Sequence, residues 1–231
     1  MLKVKEKVYA VVDLETTAPV NKGGKIIQIG IVLVQKDKII STYETDVNPK
    51  EIISNTIVQL TGISHRQLFN APSFKDIAEK ISKLLFNTVF VAHNIHFDYH
   101  FLNAQLKEAG FPELDNQKLD TVELAQIFFP TASSFRLSKL TKELNIKHNH
   151  PHQAGSDAYA TAELLLKIKK KITQIPNKIL EKIVALSPAL NVDNDLFIKE
   201  LLLKRKEKIA CSAEQMLVNE LVLQKQKVET Y

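Results

Sequence analysis

A mixed-sheet α/β fold is predicted by three features of the sequence. Apolar, β-branched runs open the chain, strand and helix patterns alternate behind them, and only helical periods follow Pro176. Strands that lead into a β-α-β-α order belong to a sheet covered by helices. The first strand is expected over Val8 to Leu14. Ile26 to Val34 and Lys38 to Val47 follow, separated by the polar turn Gln35-Lys36-Asp37, so two antiparallel hairpin connections are the simplest arrangement. Pro72-Ser73 then starts a helix over Phe74 to Leu85, in which Ile77, Ile81, Leu84 and Leu85 keep a helical period. A short buried strand at Val89 to Ala92 precedes a helix over Phe97 to Ala109, closed by Gly110. A strand at Lys118 to Thr121 and helices at Val122 to Phe128 and Leu137 to Leu144 lead to a long helix from Ala154 to Lys171. Residues 1–171 therefore form one domain. Residues 172–231 read as an all-helical appendage: Ile175, Ile179, Ile183 and Leu186 make a stripe, and Ser212-Ala-Glu-Gln215 is a capping box opening Ala213 to Gln224. Such a segment is too small for a core of its own, so it packs on the first domain or meets a partner.

Composition narrows the class. With 231 residues, 45% apolar and 25% charged, the chain suits one large α/β domain with an arm and excludes a disordered or fibrous whole. One cysteine, Cys211, excludes an internal disulfide and a cysteine-based zinc site, which makes a reduced, cytoplasmic setting the expectation. No apolar run approaches the roughly 18 residues of a membrane-spanning helix, so no membrane partner is expected. The net charge of +5 favours a polyanionic partner only weakly.

Carboxylates carry the stronger signal. Asp13 and Glu15 stand two apart at the end of the most apolar strand, so the pleat sends both to one face. Two anions there repel each other and lose solvation, which is tolerable if they share a cation. His93-Asn94-Ile95-His96-Phe97-Asp98 lies where a buried strand meets a helix start, and His152-Gln-Ala-Gly-Ser-Asp157 straddles the start of the long helix. Asp13, Glu15, Asp98 and Asp157 together are four hard oxygen donors, an inventory suited to Mg2+ or Mn2+. Two such ions roughly 3.5–4 Å apart can clamp the attacking and leaving oxygens of a phosphodiester. An imidazole beside them, with an ordinary pKa near about 6.5, can take a proton from water near neutral pH.

The ordered set Asp13-Leu14-Glu15-Thr16-Thr17, His93-Asn94-x-x-Phe97-Asp98 and His152-x-x-x-x-Asp157 resembles the three motifs of the DEDD 3′-5′ exonucleases, typified by the proofreading epsilon subunit of bacterial DNA polymerase III. The likeness covers residues 8 to 171. His152, five residues before Asp157, places the chain in the histidine (DEDDh, DnaQ-like) subclass; the tyrosine subclass would have Tyr where Gln153 stands. The resemblance implies a ribonuclease H-like, five-stranded mixed sheet flanked by helices. It also implies release of nucleoside monophosphates from a single-stranded 3′ end by two-metal-ion hydrolysis, in replication or repair of DNA. Asp13, Glu15, Asp98 and Asp157 would hold the metal ions and His152 would be the general base. Leu14, Thr16, Thr17, Leu60, Thr61, His93, Asn94 and Phe97 would lie against the substrate. Ala18 departs from the family, whose members often carry Gly there. The helical stretch with Leu186-Ser-Pro188 is similar to the region behind the nuclease in DinG-type helicases, so a helicase or polymerase partner, or a further C-terminal domain, is expected through residues 172–231. No phosphate-loop motif of a motor is present.

An exoribonuclease, a silent nucleic-acid-binding module and a hydrolase of another phosphodiester stay open as alternatives. The histidine groups His93/His96/His100 and His148/His150/His152 also invite a zinc site. The carboxylates already explain the neighbourhood, however, and His148-Asn-His150-Pro151 reads as a flexible polar loop before His152.

Overall fold

The computed structural model describes residues 6–186, 190 and 192–210. Five strands form one mixed sheet in the order β3-β2-β1-β4-β5: β1 Tyr9–Thr16, β2 Ile26–Gln35, β3 Lys38–Asp46, β4 Val89–Ala92 and β5 Lys118–Asp120. The first three are antiparallel neighbours, as their short connections require, and β4 and β5 run parallel to β1 after helical crossovers. The predicted five-stranded mixed sheet is thus present. A register shift between Glu15 and Thr16 bends the end of β1.

The helices are α1 Asn55–Thr61, α2 His65–Asn70, α3 Phe74–Leu85, α4 Ile95–Glu108, α5 Thr121–Phe128, α6 Leu137–Glu143, α7 Ala154–Gln174 and α8 Asn177–Leu186, and residues 194–210 are helical as well. Side chains alternate across β1, so one core forms on each face of the sheet. Tyr9 and Val11 point into a core built with α5, α6 and α7. Ala10, Val12 and Leu14 point into the other, built with α3 and α4. Asp13 and Glu15 continue the Tyr9–Val11 row and emerge at its open end, beside the start of α7.

Helix α7 lies unusually close to the sheet. A Cβ at Gly30 would stand 2.1 Å from the carbonyl oxygen of Ala154, so only glycine lets the first turn of α7 rest on β2. Gly30 is the register partner of Asp13. That contact brings the start of α7 over the acidic end of β1.

Two expectations are corrected. Helices α1 and α2 were not anticipated between β3 and α3; Ser54 caps the first, and Ser64 with Gln67 forms a capping box on the second. In α8 the fully buried residue is Leu180, with Ile183 and Val184 packed beside it, whereas Ile179 and Leu186 are exposed. Of the expected stripe, Ile175 and Ile183 pack against the core, while Ile179 and Leu186 face outward and Leu180 and Val184 complete the inner face. The capping box at Ser212 and the helix Ala213 to Gln224 lie outside the described residues.

The chain after Lys171 contributes core side chains. Leu180, Phe197, Ile198 and Leu202 are buried in the same cluster as Tyr9 and Val11, and Phe197 meets the Tyr9 ring edge-on at 5.9 Å. Asp193 and Asn194 close the open edge of β5: Asp193 Oδ2 accepts from the Lys118 amide at 2.8 Å and Asn194 Oδ1 from the Asp120 amide at 3.1 Å. Side chains here do what a further strand would do for the sheet edge.

Candidate active site

Each motif arrives at the same end of the sheet by a different route. Asp13 and Glu15 come from β1, Asp98 from the first turn of α4, and Asp157 from the first turn of α7. The placements of the two helical acids follow the dipole preference for anions at helix starts. Asp98 is only 4% exposed, and the Leu14 amide on β1 donates to its carboxylate, which ties α4 to the strand that carries the other two acids. Ligand atoms of Glu15, His152 and Asp157 lie within 4.8 Å of one another. His152 stands exposed at the rim, its backbone in the left-handed region (φ 66°) with its amide 3.3 Å from Asp157 Oδ2.

The electrostatics show what this crowding costs. Burial raises the Asp13 carboxyl well above the usual carboxylate range, and Asp98, Asp157 and Glu15 raise it further. Burial likewise raises Asp98, against the pull of its own amide and that of Leu14. Glu15 is pushed up to about 7, by burial first and by Asp157 second. Acids that resist ionising together are the chemistry a divalent cation relieves, and carboxylate oxygens with one imidazole at the rim suit a hard ion of the Mg2+ or Mn2+ kind. The residues present therefore fit the metal that the motifs imply.

The expected substrate residues divide into two groups. Leu60, Asn94 and Phe97 keep exposed side chains, Phe97 at 39% and leaning on Phe101 at 5.6 Å between ring centres. The others are engaged in the fold. The Leu14 side chain is in the core, Thr16 pairs with Ile26, and the Thr17 hydroxyl accepts from the Lys25 amide at 3.0 Å. Thr61 is buried, bonded to Ile57 O and the Ile63 amide. His93 spends both ring nitrogens: Nε2 reaches Phe135 O at 2.8 Å and Nδ1 reaches Thr121 Oγ1 at 2.9 Å. A carbonyl only accepts, so Nε2 carries the proton. Burial holds the His93 imidazole below its ordinary pKa.

Three residues near the site were missed. Gln28 on β2 accepts from the Ala154 amide at 2.7 Å and so anchors the N-terminus of α7. The Asp120 carboxylate accepts from the amides of Asn94, Ile95 and Val122, capping α4 and α5 together. His148 is the third, and here the expectation is overturned: it is no solvated loop residue, because its side chain is 5% exposed and its Nε2 lies 2.6 Å from Asp157 Oδ1. Gln28 breaks an otherwise apolar strand run and Asp120 directly precedes a helix, so both left a trace in the sequence. His148 left none beyond its proximity to His152.

Residues 10–165 match the family model for exonucleases of the RNase_T type, more than half of the chain. The chain belongs to this exonuclease family. Among relatives, this exonuclease is 40% identical over 197 residues to the 3′-5′ exonuclease DinG of Bacillus subtilis, covering 83% of the chain and 21% of that protein. It is 35% identical over 185 residues to the PolC-type DNA polymerase III of Caldanaerobacter subterraneus, covering 80% of the chain and 13% of that protein. The chain thus spans about a fifth or less of these relatives. Among solved structures, Escherichia coli exonuclease I in complex with a dA16 oligonucleotide superposes with a TM-score of 0.65 at 20% identity, over 73% of this chain and 42% of that one. The nuclease domain of 3′hExo, a DEDDh family member bound to rAMP, gives 0.63 at 20% identity, over 72% of this chain and 94% of that one. These likenesses bear out the ribonuclease H-like fold and the resemblance read from the three motifs. The exonuclease family requires a divalent metal, and among the described residues no helix is long and apolar enough to cross a membrane.

Proposed function

We propose that this exonuclease removes nucleoside monophosphates one at a time from the 3′ end of single-stranded DNA, with two Mg2+ or Mn2+ ions held by Asp13, Glu15, Asp98 and Asp157. The observation that carries the reading is the convergence of Glu15, His152 and Asp157 within 4.8 Å, beside two further carboxylates whose pKa values are raised by burial first and by neighbouring acids second. Bound divalent ions supply charge neutralisation to the scissile phosphate and acidity to the attacking water. The chain supplies the rest. His152, exposed at the rim, takes the proton from the attacking water and passes it to solvent. Leu60, Asn94 and Phe97 meet the terminal nucleotide, Phe97 by stacking on the base. Thr16 and Thr17 shape the turn beneath it, while Leu14, Thr61 and His93 support the site from behind.

All five proposed catalytic groups precede Lys171, so chemistry is assigned to residues 1–171 and an accessory role to 172–231. The PolC-type DNA polymerase III relative supports a setting in DNA replication or repair and a polymerase module as neighbour, and the motif resemblance extends the proposal to a helicase module and a cytoplasmic setting.

A 5′-labelled oligonucleotide, as matched DNA and RNA, tests the reading. Trimming from the 3′ end should stop in excess chelator and return with Mg2+ or Mn2+. His152→Ala should cut turnover by the roughly 10²–10⁴-fold expected of a lost general base, with partial recovery at high pH. Activity that survives chelation, or an unimpaired His152→Ala, overturns it; preference for the RNA strand would replace DNA as the substrate.

A further inference from the structure

We propose that His148 is a positioning residue that fixes the orientation of the Asp157 carboxylate. The inference rests on the reading of Asp157 as a metal ligand. Asp157 Oδ1 lies 2.6 Å from His148 Nε2, and Oδ2 lies 3.3 Å from the His152 amide. A carboxylate carries about four lone-pair directions, so one on each oxygen is spent inside the loop that precedes α7, and one on each stays available within 4.8 Å of the ligand atoms of Glu15 and His152. Rotation about χ2 would break both bonds. The ligand is therefore aimed before any ion arrives.

The imidazole is itself held from behind. Its Nδ1 lies 3.3 Å from Thr141 Oγ1, and Thr141 is a buried residue of α6 whose hydroxyl also donates to Leu137 O at 2.8 Å. A metal-binding carboxylate can only accept, so Nε2 donates to Asp157, while the Thr141 contact at Nδ1 holds the ring plane. This order, ligand then oriented donor then fixed backing group, is how outer partners hold a metal site.

A purely structural role is already filled by other groups. The start of α7 is placed by Gln28 through the Ala154 amide and by the close approach at Gly30, and neither contact involves His148. What His148 adds is contact with the carboxylate head itself. Its loss should therefore appear in metal affinity and leave the helix where it is.

The test uses the full chain and Mn2+ alone as probe, with calorimetric titration, thermal unfolding without metal, and turnover at saturating Mn2+ read in parallel. His148→Ala should weaken Mn2+ binding by roughly 10–100-fold. Turnover at saturating Mn2+ should recover most of its wild-type value. His148→Gln, whose amide can place an N–H where Nε2 stands, should regain most of the affinity, while the shorter His148→Asn should not. Wild-type affinity in His148→Ala, or Gln and Asn variants of equal affinity, would overturn the proposal. The Gln–Asn comparison decides the matter even if the alanine variant fails to fold. Asp157→Asn separates the two readings: if it binds Mn2+ like the wild type, the ligand assignment fails, and if it loses binding while His148→Ala does not, only the positioning role fails.

Discussion

The acidic end of the central strand β1 and the open edge of β5 solve opposite problems. At the far end of β1, buried and half-buried carboxylates crowd together and resist ionising, offset by the amides of Asp98 and Leu14 and by the contact of His148 with Asp157. At the edge of β5, backbone donors find a carboxylate or amide: Asp193 takes the Lys118 amide, and Asn194 takes the Asp120 amide while donating to Asp120 O and Glu123. One region stores unfavourable charge for a ligand to relieve. The other is satisfied by the chain's own residues. Mutations should therefore move activity and stability in different places.

The largest effect is expected where charge is stored. Asp13→Asn removes one of the crowded anions, so the metal-free chain should unfold at the same temperature or slightly higher. Turnover should fall by roughly 10⁴-fold, the equivalent of losing about 5 kcal/mol of metal-borne stabilisation of the transition state. Thermal scans beside a 3′-trimming assay check both halves. A variant that loses stability as well as activity would mean that Asp13 holds the fold together, and the contrast between the two regions would collapse.

The second effect has the reverse signature. Phe197 is buried against Tyr9, and replacing it by alanine should cost about 3–5 kcal/mol of unfolding free energy. No proposed catalytic group touches it. Below its melting temperature, Phe197→Ala should therefore cleave a short oligonucleotide at close to the wild-type rate. Denaturant unfolding and an assay at low temperature measure the two quantities, and an activity loss in fully folded protein would show that the helices after Lys171 reach into the chemistry.

How much of this was legible follows from where the information sits. Strand runs such as Ile26 to Val34 and the helix Phe74 to Leu85 declare themselves by local period, and the structure places both as read. The carboxylates were legible because Asp13 and Glu15 interrupt an apolar strand, an arrangement that burial alone would not favour. The short helices α1 and α2 were not, although Ser64 and Gln67 carried a capping signal, because six or seven residues give too few turns for a period to show. His148, Gln28 and Asn194 depend on partners 9, 126 and 74 residues away. Contacts of that kind are created by the tertiary fold, and a polar residue in a loop looks the same whether or not it will find one.

The smallest effect concerns pH and sharpens the contrast further. Glu15 is pushed up to about 7 in the folded chain, against about 4.5 when unfolded, and Asp13 and Asp98 are moved in the same direction. A folded-state pKa above the unfolded one means that the folded chain holds the proton more tightly. The associated stability is fully present below about pH 4.5 and declines as pH rises through about 7. Glu15 alone accounts for at most about 3 kcal/mol, because each tenfold gain in proton affinity is worth about 1.4 kcal/mol. Metal-free protein should thus lose melting temperature between about pH 5 and about pH 8, and saturating Mg2+ should flatten that slope by taking the place of the protons. Asp13→Asn should flatten it in part without metal, whereas Phe197→Ala should lower the whole curve and keep its shape. A metal-free curve that rises over this interval would show that the acidic end of β1 is not under the charge strain assigned to it.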